Sequence, residues 1–292
     1  MYLNSLSTAS GLTRNCRGAF GLRRVRSATR RPVSGVVRAL ACGTACALVL
    51  LAQGAVSAAQ LSALVAQSIQ DQVVELAPGR FGGALHREPE GKQAAGGVVI
   101  LHRAGAEPNQ RGVIRALRVG LPREGWHTVS VQLEPVLGPL GQWHEGVSRR
   151  LSAAVKYFTA QAVSNVVILA QGSAAGGAAA YFIGGADAAV TGFVGLSAVY
   201  SDHRTDLGEG SLSKAWPKRI LELVGQRDYA SVLHAASEHK RQSGEVPELS
   251  LRQVRIPFAR NGFRGHETLV VRRVNGWLRR HLAGHPASAE KP

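Results

Sequence analysis

The chain has 292 residues, 45% of them hydrophobic, which is enough for one sizeable core and short for more than two small domains. Its formal net charge of +16 is unevenly placed, because residues 1–58 hold eight Arg and no Lys, Asp or Glu. The remainder mixes 27 basic with 19 acidic side chains, which reads as an ordinary solvated surface and argues against a dedicated single-signed face.

Residues 39–52 form an apolar run of about 14 residues, preceded by the Arg-rich stretch and followed by small residues at Val56-Ser57-Ala58 or Ser57-Ala58-Ala59. That is the layout of a secretory signal, and the run is short for a membrane span, which needs roughly 20 residues. The expected organisation is a signal peptide over 1–58 and a single domain over 59–292, periplasmic or secreted, with no stable membrane span after cleavage. The alternative is an inner-membrane anchor formed by 39–55. Cys16, Cys42 and Cys46 all lie in the segment to be removed, so the exported domain relies on its core and not on disulfides. Export also separates the protein from nucleic acid, which is not an expected partner.

After a polar lead-in helix at 60–72, two short strands at 73–77 and 81–86 flank Pro78-Gly79 and predict an antiparallel hairpin. Strand-length apolar runs then alternate with helix-length amphipathic runs. Strands are expected at 97–101, 127–132, 165–170, 190–196, 219–224 and 249–256, with helices at 111–121, 142–161, 173–183, 229–242 and 266–282. This alternation predicts an α/β fold, a mostly parallel sheet with helices on both faces behind an N-terminal antiparallel hairpin.

Six segments carry a closer likeness: GVVILHRAG at 97–105, VIRALR at 113–118, GWHTVSVQL at 125–133, VILAQG at 167–172, GQRDY at 225–229 and VNGWL at 274–278. In this order they resemble an uncharacterised bacterial family of exported α/β-hydrolase-like proteins, over roughly 97–280. The resemblance implies an α/β-hydrolase frame more strongly than any activity.

In an active α/β-hydrolase the nucleophile sits at a sharp strand-to-helix turn with small residues two positions to each side. Here the turn reads Ala170-Gln171-Gly172-Ser173-Ala174. Ala170 and Ala174 satisfy the small positions, and Gly172 then occupies the nucleophile position without an oxygen to attack with. Glycine also adopts the positive φ of such a turn at little steric cost. Moving the register by one makes Ser173 the nucleophile, but places Gln171 where a long side chain crowds the turn. Ser173 as a helix cap is the competing assignment.

Asp228 follows a later strand, where the triad acid belongs, and equally fits a helix N-cap. Asn261 aligns with the catalytic His and cannot take and return a proton near neutral pH. His266, five residues on, is the substitute base. His102 and Arg103 fill the place of the His-Gly pair opening the oxyanion loop, and Arg103 adds a fixed cation suited to an anionic ligand.

No metal-ligand spacing and no nucleotide-binding loop stands out, and no cofactor is expected. Two readings result. The first is an exported binding protein for a small-molecule or anionic envelope ligand, catalytically impaired at Gly172 and Asn261. The second is an esterase-like serine hydrolase using Ser173, Asp228 and His266. Oligomeric state is not readable from the sequence.

Overall fold

Eight strands form one sheet in the order β1-β2-β4-β3-β5-β6-β7-β8. The computed structural model describes residues 71–78, 81–91, 94–200 and 212–282, all within the unit Leu51–Pro292. The strands are β1 (Gln72–Glu75), β2 (Gly83–Arg87), β3 (Gly96–Leu101), β4 (Trp126–Val131), β5 (Val166–Gln171), β6 (Val190–Leu196), β7 (Arg219–Gly225) and β8 (Ser250–Ile256). Five helices are interleaved: α1 (Val113–Gly120), α2 (Leu140–Ala160), α3 (Ala174–Ile183), α4 (Ala230–Glu245) and α5 (Glu267–His281).

The predicted hairpin is present, with β1 antiparallel to β2 and Gln72 opposite His86. β2 runs antiparallel to β4, and every other pairing is parallel. The expected strands and helices recur with ends moved by a few residues. A 3-10 turn at Pro122–Glu124 was not anticipated. The lead-in helix lies outside the described residues except for its last two positions, of which Gln72 opens β1. The expected signal segment also lies outside them. Among the described residues no helix is long and apolar enough to cross a membrane.

Period-two alternation divides the sheet's side chains into two cores. Val99, Leu101, Ile168 and Ala170 pack with α2 and α3 on one face, while Val98, Ile100, Val167 and Leu169 pack with α1 and α5 on the other. These central-strand side chains are fully buried, each Val, Leu and Ile contributing about 1.5–3 kcal/mol of hydrophobic stabilisation. Burial on both sides is why β3 and β5 read as continuous apolar runs.

The Ala- and Gly-rich sequence of α3 has a specific use. A Cβ on Gly176 would lie 2.4 Å from the His144 ring and one on Gly177 2.4 Å from Val147. The glycines therefore let α3 approach α2 closely, in addition to seating it on the sheet.

Candidate functional site

The sheet order places the β5–α3 turn at the centre of the carboxyl edge, where ligands bind in open α/β sheets. Gly172 lies at the apex of this turn with φ +58, whereas Ser173 has right-handed helical angles, φ −63 and ψ −22. Gly172 N–H donates to Leu196 O at 3.0 Å, and Gly172 O accepts from Ala175 N and Val199 N, so the apex is fixed by β6 and the residues after it. A Cβ at Gly172 would meet Arg103 Cβ at 3.6 Å, an ordinary contact. The site has room for a side chain, and backbone conformation is what favours glycine.

Ser173 makes no side-chain cap bond to its own helix. Its Oγ accepts instead from Ala104 N–H at 3.4 Å. In a working hydrolase an amide from the loop after β3 serves the oxyanion, together with the amide following the nucleophile. Here the hydroxyl of Ser173 occupies such a donor.

A cavity of about 530 Å³ opens beside this turn, within the usual size range of small-molecule sites. Gly172, Ser173 and Arg103 line it, as does Asn261 from the loop after β8. The turn apex, the neighbouring serine, the asparagine expected at the His position and the loop cation are thus brought together.

His266 and Asp228 are not among the lining residues. His266 stands at the N-cap of α5, and its Nδ1 lies 3.2 Å from Arg264 O. Asp228 is buried at the end of the β7 turn. Its Oδ2 accepts from Ser197 Oγ at 2.5 Å and from Gly225 N–H at 3.2 Å, and its Oδ1 accepts from Tyr229 N–H at 3.0 Å. Its carboxylate therefore braces two loops. Ser197, at φ +46, and Tyr229 are the members of this group that reach the cavity wall.

His102 is 1% exposed and does not line the cavity. Leu133 N–H donates to its Nε2 at 3.3 Å, which leaves the ring proton on Nδ1 to donate to Arg103 O at 3.0 Å. The imidazole ties the loop after β3 to the chain after β4, and Arg103 alone of the pair faces the cavity.

Burial lowers the His102 pKa from 6.5 to about 4. The unfolded chain binds this proton near pH 6.5 and the folded chain only near pH 4. Stability present at neutral pH is therefore lost as pH falls through that window, by up to about 3 kcal/mol for His102. His86, lowered to about 4 mainly by burial and then by His127, acts in the same direction. Urea unfolding followed between pH 7 and pH 4 is expected to show this loss. His102→Asn should give a shallower slope, and an unchanged slope would remove His102 from the account.

Sequence reasoning missed Gln171, Arg111 and Arg264 as cavity residues. The two arginines flank the starts of α1 and α5, and charge at a helix entrance is the signal that could have indicated them.

The model of a family described as "Protein of unknown function (DUF3530)" matches residues 55–140. No curated protein matches the chain in sequence. Among solved structures, Est1E from Butyrivibrio proteoclasticus is 14% identical with a TM-score of 0.55, covering 73% of this chain and 98% of its own. A lidless serine hydrolase from Xanthomonas campestris is 16% identical with a TM-score of 0.56, covering 75% and 98%. An esterase from Pyrococcus furiosus is 13% identical with a TM-score of 0.55, covering 73% and 93%. At these identities the likeness is one of fold, and the domain is α/β-hydrolase-like.

Proposed function

We propose that this α/β-hydrolase-like domain is a non-catalytic ligand-binding protein that works outside the cytoplasm after residues 1–58 are removed as an export signal. The observation that carries the reading is the positive φ at Gly172, which supports taking this residue, without a side chain, as the nucleophile position of the turn. Asn261 in the same cavity offers an amide where a general base is needed. Ser173 Oγ engages a loop amide that an oxyanion would use. Loss of a triad member lowers the rate by several powers of ten, leaving only binding and residual oxyanion effects.

The hydrolase reading needs Ser173 and His266 within hydrogen-bond reach, roughly 3 Å, and no contact between them supports it. A serine-reactive phosphonate distinguishes the two. The purified protein is expected to remain unlabelled, as is Ser173→Ala, beside a control esterase that labels fully. Labelling abolished by Ser173→Ala would overturn the proposal.

A further inference from the structure

Three guanidinium-bearing side chains converge on the cavity from separate loops: Arg103 after β3, Arg111 ahead of α1 and Arg264 ahead of α5. No Asp or Glu lines the cavity, and among the described residues Arg103, Arg111 and Arg264 are in none of the ion pairs; Glu267 Oε1 stands behind the lining residue Gly112, 3.9 Å from where its Cβ would be. Three cations against one carboxylate leave a focused positive potential in the cleft. The amino end of α3 adds to it, since Gly172 and Ser173 form part of the wall.

We propose that the cavity binds a phosphate-bearing small molecule, with the phosphoryl oxygens held by Arg103, Arg111 and Arg264. Charge and geometry favour phosphate over carboxylate. A carboxylate satisfies one guanidinium fork, whereas a phosphomonoester carries a charge of about −1.5 to −2 and three acceptor oxygens. The cavity, at about 530 Å³, exceeds what a bare anion fills, so the ligand also has an organic part. Tyr229, 68% exposed and in the lining, presents a ring for it. This ligand assignment rests on the non-catalytic reading of the same site.

Calorimetric titration of the full chain with phenyl phosphate, inorganic phosphate and benzoate tests the assignment. Phenyl phosphate is expected to bind more tightly than benzoate, and more weakly as salt rises. Arg103→Gln and Arg264→Gln should each weaken it about tenfold or more, with ligand-free melting temperature unchanged. Displacement of phenyl phosphate by phosphatidic acid vesicles, but not by phosphatidylcholine vesicles, identifies a lipid headgroup as the source. Its retention against both identifies a soluble ester, and either outcome supports the phosphate site. Benzoate binding as tightly as phenyl phosphate, no binding of either phosphate, or full binding by the Arg103→Gln/Arg264→Gln double variant would overturn it. Phosphonate labelling is a separate readout, so failure of the ligand assignment is distinguishable from failure of the non-catalytic reading.

Discussion

Glu222→Ala is expected to destabilise the domain by about 3–5 kcal/mol, the largest loss from a single side chain outside the apolar core. Glu222 is 2% exposed in the middle of β7. One carboxylate oxygen accepts from the Tyr200 hydroxyl and lies 2.7 Å from His239 Nδ1, and the other accepts from Gln253 Nε2 at 2.7 Å. The Tyr200 and His239 rings stack at 3.8 Å, which holds both donors on the carboxylate. Removing it leaves the buried Tyr200 hydroxyl and His239 ring facing an apolar gap without the partner that offset their desolvation, while Gln253 Nε2 keeps only Ala236 O. For a domain of this size, thermal unfolding should fall by about 2–4 °C per kcal/mol, hence roughly 10 °C in all. Glu222→Gln keeps the shape and loses less. A melting temperature for Glu222→Ala within about 2 °C of the parent would show that the network is not a stabilising unit.

The same network shows where sequence reading ends. The frame was legible because its cause is local: apolar runs buried on both faces, helical periodicity between them, and Pro78-Gly79 between two short strands. Glu222 sits inside such a run, Arg219–Gly225, and nothing local tells that its partners stand 17, 22 and 31 residues away. Ser197 and Asp228 meet for the same reason, across 31 residues. The turn itself was legible because small residues between a strand and a helix leave few registers, and its glycine has the positive φ that a sharp bend favours. His102 was placed in the correct loop, but its role depends on Leu133, which only the pairing of β3 with β4 brings beside it. Arg103, Arg111 and Arg264 form a group only after three loops close on one cavity.

Gly172→Ser combined with Ser173→Ala and Asn261→His is expected to create phosphonate labelling where the parent has none, whereas Gly172→Ser alone is not. The single change places a hydroxyl at the apex, and 3.6 Å from the built Cβ to Arg103 leaves space for it. At φ +58 it costs about 1–2 kcal/mol of backbone strain, a small loss of melting temperature, and it still faces Asn261 with no base. Ser173→Ala frees the Ala104 amide from the hydroxyl it now serves, restoring a donor to the oxyanion. Asn261→His supplies the proton acceptor, and Asp228, already anchored by Ser197 and two backbone amides, lies on the neighbouring loop, where Arg227 N–H donates to Ala259 O. A general base contributes about 10²–10⁴-fold, so the triple variant should hydrolyse a short activated ester at least about a hundredfold faster than Gly172→Ser. Equal rates in two folded variants would mean that the turn apex and Asn261 are not the vacated nucleophile and base. An inactive parent would then need a cause other than lost side chains, in the shape of the cavity or the position of Asp228.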